Sequence, residues 1–215
     1  MKKLIGIAVT VLFIIPVLIL SGCNSTRLVS SWKAPEAMAK QYNKILVLGL
    51  MHAKNLEVRE GIEKGLVQDL IANGIGAGSA YVEYGPKAFE NLKEEEALEK
   101  IKDKGYDAVL VIALLDRTKD KDYTPGNIRY RPYTYYNYFW GFYQTVYTRI
   151  YEPGYYTEST NYILEANFYD LENKRLEYSA QTKSFNPSSA QTLGKELSQT
   201  IIVDMMDKGI IQKQN

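Results

Sequence analysis

The sequence predicts an α/β protein with a mixed sheet, and two observations support this fold class. Two continuous apolar runs of strand length, Ile45–Leu50 and Ala108–Leu115, are separated by two amphipathic helical patterns, which is typical of parallel strands buried on both faces. Downstream, two segments of alternating polarity flank a polar turn and precede a last helical pattern. We therefore expect a β-α-β-α-β half, then an antiparallel hairpin and a C-terminal helix, in two or three layers.

The elements of the first half follow from the spacing of the apolar residues. Asn55 suits the N-cap of a helix, in which apolar residues recur every four positions and Arg59 and Glu63 lie outside the apolar stripe. Ala77–Tyr81 is a candidate short strand, and Pro86 is a typical first residue of a second helix. These elements supply the two helices and the middle strand of the predicted β-α-β-α-β half.

The elements of the second half are a hairpin and a helix. Apolar and polar residues alternate over 162–169 and again over 175–183, with a polar turn between them, which predicts an antiparallel hairpin with one face in water. A final amphipathic helix starts at Pro187 and ends at Gly209. Because no repeat and no linker divides the chain, we expect a single domain over residues 44–215.

Composition excludes several classes of function. The 215 residues carry 26 basic and 25 acidic side chains, a formal charge of +1, so no broad basic field is available for nucleic acid and we expect no such partner. The chain has one cysteine and one histidine, His52, which removes most metal-binding and acid–base constellations. We therefore expect no catalytic residues, no metal and no cofactor, and interpret His52 as a solvated loop residue.

The first 22 residues have the pattern of a secretory signal peptide. Lys2 and Lys3 precede an uncharged apolar run, Leu4–Leu20, which is followed by small residues. As a helix, this 17-residue run would be about 26 Å long, shorter than the roughly 30 Å hydrocarbon core of a bilayer. Pro16 would also interrupt the helical hydrogen bonding. We therefore expect a cleaved signal rather than a retained transmembrane helix.

The segment Leu20-Ser21-Gly22-Cys23 resembles the lipobox of bacterial lipoproteins, in which an aliphatic residue and two small residues precede the lipidated cysteine. The resemblance implies cleavage before Cys23, a diacylglyceryl thioether on its sulfur and an N-acyl chain such as palmitate on its new amino group. Because Asn24 rather than aspartate follows, it also favours the outer membrane, facing the periplasm, in a host that has one. Residues 23–43 would form a lipidated tether, part of which we expect to dock as a short edge strand because it contains Trp32.

Tyrosines are concentrated in one long aromatic-rich excursion, residues 116–160. Eleven of the 18 tyrosines fall between Tyr130 and Tyr162, and loops of this length are uncommon unless they are functional or disordered. The tyrosine ring with its hydroxyl group suits protein interfaces. The rings could instead cover the sheet, or stack on sugar rings of the cell wall. The excursion begins with residues 116–122, whose interleaved acidic and basic side chains predict a solvated charged loop. The partner-binding hypothesis rests on nine aromatic residues: Tyr133, Tyr135, Tyr136, Tyr138, Trp140, Tyr143, Tyr147, Tyr155 and Tyr156.

Several short phrases stand in order over residues 31–211, among them Ser31-Trp32-Lys33, Val58-Arg59-Glu60, Glu165-Ala166-Asn167-Phe168 and Phe185-Asn186-Pro187. Together they resemble a group of uncharacterised bacterial envelope lipoproteins. The strand–helix plan is similar, more loosely, to the N-terminal domain of TolB, the curli-secretion-channel lipoprotein and the lipoprotein activators of penicillin-binding proteins. Those proteins act by binding or assembling, and the resemblance carries over no functional residue beyond Cys23.

We therefore expect a membrane-anchored lipoprotein that works as a non-catalytic binding or assembly module of the cell envelope. Its partners would be the membrane, through the lipid, and an envelope protein or further copies of itself. Two alternatives stay open. One is a homo-oligomeric structural or secretion component, and the other is a cell-wall glycan-binding or hydrolytic protein, which as a hydrolase would need two facing carboxylates in a cleft.

Overall fold

A six-stranded mixed sheet organises the protein, and the computed structural model describes residues 24–87, 89, 92–120 and 159–214. The strands are β1 (Thr26–Lys33), β2 (Lys44–Leu50), β3 (Gly76–Ser79), β4 (Ala108–Asp120), β5 (Ser159–Asp170) and β6 (Arg175–Phe185). The α-helices are α1 (Leu56–Ala72), α2 (Ala80–Tyr84), α3 (Glu94–Lys102) and α4 (Ala190–Asp207). The strand order across the sheet is β1-β6-β5-β4-β2-β3.

The sheet has a parallel half and an antiparallel half. β2 is parallel to both β3 and β4, while β4, β5, β6 and β1 are each antiparallel to the next. The parallel half arises because helices connect β2 to β3 and β3 to β4, whereas the tight turn between β5 and β6 forces antiparallel pairing. The predicted fold class is confirmed: a mixed α/β sheet with a β-α-β-α-β half, an antiparallel hairpin and a C-terminal helix.

Apolar side chains of the parallel strands alternate between two separate cores. On one face, Ile45 and Val47 of β2 pack in a core with residues of α1 and α4. On the other face, Leu46 and Leu48 belong to a second core that includes residues of α3. Both faces are therefore buried, as the continuous apolar run of β2 predicts, and helices cover the sheet in three layers.

The two long helices, α1 and α4, touch through their backbones. A Cβ atom added to Gly65 of α1 would lie 2.6 Å from the carbonyl carbon of Gly194 in α4. A Cβ on Gly194 would in turn overlap the carbonyl oxygen of Gly61. Only residues without a Cβ atom allow this separation, so three glycines set the distance between the helices.

Two boundaries in the first half differ from the prediction. β3 spans Gly76–Ser79 and ends at Ser79, because its hydroxyl group caps the first turn of α2, so the predicted strand begins one residue late and ends two residues late. The next helix begins at Glu94 rather than at Pro86. Its first turn is closed by a hydrogen bond of 3.3 Å from the Lys93 N–H to the Glu96 carboxylate.

β4 continues five residues past Leu115, where its apolar run ends. Residues 116–120 pair in antiparallel register with 159–163 of β5, after a bulge between Leu114 and Asp116. The prediction of a charged loop is therefore wrong over 116–120, and β5 includes the predicted last residues of the excursion, 159 and 160. Asp116 and Arg117 are exposed, so hydrophobicity gives no signal for this part of the strand and only the pairing with β5 reveals it.

The hairpin face that the alternation of polar residues predicts to lie in water is largely buried. Glu165 and Asn167 of β5 are 3% and 1% exposed, and Gln181 of β6 is 9% exposed. Both strands lie inside the sheet, each with a neighbour on either side. The prediction of a wet face is therefore wrong, and the polar side chains need hydrogen-bond partners within the protein.

The segment predicted to form a lipidated tether contains β1, the edge strand beside β6. Trp32 lies in β1, is half-buried and packs against both cores. The bulky indole group thus lies against the protein rather than in water.

Candidate functional site

One end of the sheet, which we name the carboxyl end, gathers the segments that the sequence singles out. β2, β3, β4 and β6 finish at the carboxyl end, and β1 and β5 start there. Ligand groups of α/β sheets commonly follow the carboxyl ends of parallel strands. The chain leaves the carboxyl end after Asp120 and returns to it at Ser159, the register partner of Asp120.

All ten predicted site residues lie outside the described residues. They are Cys23, Tyr133, Tyr135, Tyr136, Tyr138, Trp140, Tyr143, Tyr147, Tyr155 and Tyr156. Cys23 directly precedes the first described residue, and the nine aromatic residues belong to the segment between Asp120 and Ser159. The described strands therefore bring the attachment points of both segments to the carboxyl end.

The beginning of the described chain is fastened to the carboxyl end by hydrogen bonds. The Ser25 N–H donates to the Glu196 carboxylate of α4 (3.0 Å), and the Ser25 carbonyl oxygen accepts from the Phe185 N–H (3.0 Å). The Thr26 hydroxyl also donates to Glu196 (3.2 Å). Contact with the folded body thus begins two residues after Cys23, so the segment 23–43 is not a free tether over most of its length.

A buried carboxylate, Glu63, joins four elements near the carboxyl end. One oxygen accepts hydrogen bonds from the Gly49 N–H and the Arg59 Nε–H, both 2.9 Å long. The other accepts from the Ser79 hydroxyl and from the Tyr81 N–H (2.7 Å). Glu63 is 0% exposed, so α1 presents a charged group to the interior, although the sequence pattern places Glu63 outside the apolar stripe of the helix.

The counter-ion of Glu63 is buried as well. Arg59 is 6% exposed, lies one turn earlier in α1 and donates from Nη1 to the Pro86 carbonyl oxygen (3.1 Å). Its guanidinium carbon lies 5.3 Å from the centre of the Tyr81 ring, close enough for a cation–π contact. Every hydrogen-bonding position of the Glu63 carboxylate has a donor, and this arrangement is typical of a structural ion pair rather than of a reactive group.

A second polar contact at the carboxyl end links α1 to the extension of β4. Asn55 is buried, and its Oδ1 accepts from Arg117 Nη1 (2.8 Å). The Asn55 side chain therefore makes no capping hydrogen bond to α1, contrary to the prediction. Arg117 also stacks over the ring of Tyr162, 5.4 Å from its centre. His52 is exposed, and its Nδ1 accepts from the Lys54 N–H (3.4 Å), which is consistent with its interpretation as a loop residue.

A third polar cluster lies in the middle of the sheet face that carries Glu165 and Gln181. The two oxygens of Glu165 accept from Asn167 Nδ2 (2.8 Å) and from Gln181 Nε2 (3.0 Å). Tyr169 follows on the same face, and burial together with the nearby Glu165 carboxylate raises the pKa of its hydroxyl group. Tyr169 therefore stays protonated at any physiological pH. The amides satisfy the carboxylate, which explains how it can lie inside the protein.

At the opposite end of the sheet, Asp170 organises the β5–β6 turn. It accepts from the backbone N–H of Glu172 (2.8 Å) and of Asn173 (3.0 Å) and from Lys40 Nζ (2.9 Å). Burial acts to raise the pKa of Asp170, but the Asn173 N–H and the Lys40 ammonium outweigh it and hold the pKa below its usual range.

A surface cavity of about 360 Å³ adjoins this cluster. Its lining carries both signs of charge, including Lys40, Lys102, Asp107 and Glu172.

Two kinds of feature are absent from the described part of the chain. No group of three or more histidine, cysteine, aspartate or glutamate side chains is arranged there to hold a metal ion. Nor does any helix over residues 24–87, 92–120 or 159–214 combine the length and the apolar character that crossing a bilayer requires.

Comparisons with known proteins give distant structural likenesses. No protein-family model and no curated protein matches the chain. Among solved structures, it is similar to the PelC dodecamer from Paraburkholderia phytofirmans, with 13% identity, a TM-score of 0.45, and coverage of 88% of this chain and 99% of that one. It is also similar to lipoprotein GNA1162 from Neisseria meningitidis, with 16% identity, a TM-score of 0.39, and coverage of 76% and 98%. At these identities and TM-scores, neither likeness supports an inference about function.

Proposed function

We propose that this chain is a bacterial lipoprotein, acylated on Cys23, that serves as a membrane-anchored, non-catalytic binding or assembly module of the cell envelope. The observation that carries the proposal is the complete lipobox Leu20-Ser21-Gly22-Cys23 at the end of a signal-like apolar run. Each buried CH₂ group adds about 0.8 kcal/mol of membrane affinity, and one acyl chain alone binds only marginally. Two or three chains on Cys23 would therefore anchor the protein durably.

The proposed location is the outer membrane, facing the periplasm, in a host that has one. The residue after the cysteine is Asn24 and not an aspartate, and this difference favours export from the inner membrane in the lipoproteins that the lipobox resembles. The short distance between Cys23 and the hydrogen-bonded Ser25 supports a folded domain held close to the bilayer rather than on a long tether.

The proposed role in binding rests on the aromatic segment between Asp120 and Ser159. Both of these residues are at the carboxyl end, where the chain that follows Cys23 is also attached. An envelope partner bound by the tyrosines would therefore meet the protein beside its membrane anchor. The saturated hydrogen bonding of Glu63 and the amide partners of Glu165 support a structural role for these two carboxylates, in keeping with a protein that is not an enzyme.

Replacing Cys23 with serine is expected to abolish acylation and cleavage, because the thiolate sulfur forms the thioether. Cells fed labelled palmitate should label the wild-type protein and leave Cys23→Ser as an unlabelled precursor that retains residues 1–22. Mass spectrometry of the purified proteins measures both differences. Ser21→Ala keeps a small residue in the lipobox and is the matched control, which should be labelled normally. A wild-type protein with an unmodified thiol contradicts the proposal.

Photo-cross-linking in living cells tests the aromatic segment. A photoreactive residue at Tyr138 or Tyr147 is expected to give a discrete adduct with an envelope protein, and the same residue at Met38, at the opposite end of the sheet and 83% exposed, is expected to give none. Mass spectrometry identifies the attached molecule. An adduct with a second copy of this chain supports the homo-oligomeric alternative, and an adduct with cell-wall glycan supports the glycan-binding alternative. The absence of any adduct specific to the segment contradicts partner contact through it.

A further inference from the structure

We propose that the carboxyl end lies against the lipid bilayer, with Phe185 inserted in the interfacial region and two basic side chains, Arg27 and Lys183, on the same face beside it. We name these three residues the bilayer patch. This inference rests on the proposed acylation of Cys23 and goes beyond it, because acylation alone does not determine which surface of the domain faces the membrane. The partner is an anionic phospholipid surface.

The first argument is the position of the anchor. The carbonyl oxygen of Ser25 accepts a hydrogen bond from the Phe185 N–H (3.0 Å), so these two backbones are in direct contact. Cys23 is two residues before Ser25, and each trans peptide spans 3.8 Å between Cα atoms. The acylated sulfur therefore lies within roughly 10–15 Å of the Phe185 backbone, and the bilayer that holds the acyl chains comes as close.

The second argument is the exposure of Phe185 and the rigidity of its surroundings. Its side chain is 59% exposed, and it is the only aromatic among the exposed large apolar residues of the described part of the chain. The next residue, Asn186, has a φ of 46°, in the left-handed region that few residues other than glycine adopt. Asn186 N–H donates to the Thr160 carbonyl oxygen (2.8 Å), and Thr160 N–H donates to Asn186 Oδ1 (3.2 Å). An apolar ring is thus fixed in an exposed position beside the anchor.

The third argument is charge. Arg27 of β1 and Lys183 of β6 are register partners, and Lys183 is two residues before Phe185, so all three side chains leave the sheet on the same face. Like charges directly opposite each other destabilise a strand pair. Among the described residues, Arg27 and Lys183 make no ion pair with an acidic side chain. Phosphate groups of anionic lipids would neutralise both. An aromatic ring with basic side chains beside it is typical of surfaces that lie in the membrane interface.

The same charges argue against a second copy of this chain as the occupant. β1 is an edge strand, so it could in principle pair with another β1. A twofold pair of β1 strands centred near Arg27 would bring the Arg27 side chains of the two copies together without a counter-ion. A lipid surface avoids this repulsion.

The test uses the complete, acylated protein and a single attached probe. Cys23 is the only cysteine and acylation occupies its sulfur, so Phe185→Cys provides one free thiol for a fluorophore. The protein is placed in vesicles of phosphatidylethanolamine and phosphatidylglycerol, with or without lipids that carry a nitroxide quencher near the headgroup end of the acyl chain. We expect the nitroxide to remove at least about half of the fluorescence at position 185, because interfacial side chains lie about 5–10 Å into the boundary between headgroups and chains. The matched control, Met38→Cys at the opposite end of the sheet, should lose almost none.

Each failure has its own signature. Acylated protein whose probe at position 185 is not quenched overturns the bilayer patch and leaves the proposed lipoprotein intact. The probe at position 185 could also be shielded from water without being quenched by nitroxide lipids, and cross-link to another copy. That result overturns the bilayer patch in favour of self-association. Intact mass measured on the same sample reports acylation directly. An unmodified Cys23 would overturn both proposals before any vesicle is prepared.

Discussion

Replacing Glu63 with glutamine is expected to lower the free energy of unfolding by about 3–5 kcal/mol, the range seen when one partner of a buried ion pair is removed. Each carboxylate oxygen of Glu63 accepts from two donors, among them the Gly49 N–H and the Tyr81 N–H. A glutamine amide has only one oxygen, so its NH₂ group must face either the two N–H donors of Gly49 and Arg59 or the Tyr81 N–H beside the Ser79 hydroxyl group. The substitution also leaves the guanidinium of Arg59, which is 6% exposed, without a buried counter-ion.

The measurement is urea unfolding of the acylated protein in detergent, with wild type and variant compared in the same detergent. Glu60→Gln makes the same chemical change on the exposed side of the same helix and should alter the free energy of unfolding by no more than about 0.5 kcal/mol. If Glu63→Gln and Glu60→Gln have equal effects, the buried network does not stabilise the fold as described here.

Replacing Gly194 with alanine is expected to lower the free energy of unfolding by about 1–3 kcal/mol or more, as added atoms do in a fully packed interior. The new Cβ atom would overlap the carbonyl oxygen of Gly61, and a Cβ on Gly65 would meet the Gly194 backbone in the same way. Backbone atoms cannot move aside as a flexible side chain does, so α1 and α4 would have to separate. Their apolar residues, which form the larger core, would lose contact.

The sign of the change in unfolding free energy separates a clash between the helices from an effect of helix propensity. Helix propensity alone favours alanine over glycine by up to about 1 kcal/mol, so a destabilised Gly194→Ala variant must owe its loss to the contact between the helices. Gln199→Ala, at an exposed position of the same helix, is the control and should change the free energy of unfolding by less than about 0.5 kcal/mol. Thermal unfolding provides the readout, because 1 kcal/mol corresponds to roughly 2–4 °C for a protein of this size. A Gly194→Ala variant as stable as wild type would show that the helices are not held at glycine contact distance.

The fold class was predictable because its signals are local. The continuous apolar run of β2 and the four-residue spacing in α1 state directly which sides of these elements are buried. The Asn186 turn and the extension of β4 were not predictable in this way. Asp116–Asp120 carries no apolar stripe, and its strand conformation depends on pairing with residues about 40 positions later in the chain.

The buried carboxylates were the main features that sequence reasoning misplaced. Arg59 and Glu63 have the four-residue spacing of a helical ion pair, so their pairing could have been suspected. Their burial depends on Ser79 and Tyr81, which the chain reaches only after another turn and strand. Alternation alone places Glu165 on a face in water, whereas its partner Gln181 is defined by the register of β5 against β6.

The amino-acid sequence by itself determined the predicted lipid anchor and the plan of strands and helices, since a lipobox and a hydrophobic period are properties of neighbouring residues. Only the tertiary structure decided that the chain after Cys23, both ends of the aromatic segment and the exposed ring of Phe185 meet at the carboxyl end. The physical reason is that direction and register within a sheet are fixed by hydrogen bonds between distant strands, and these bonds determine which ends of the chain become neighbours.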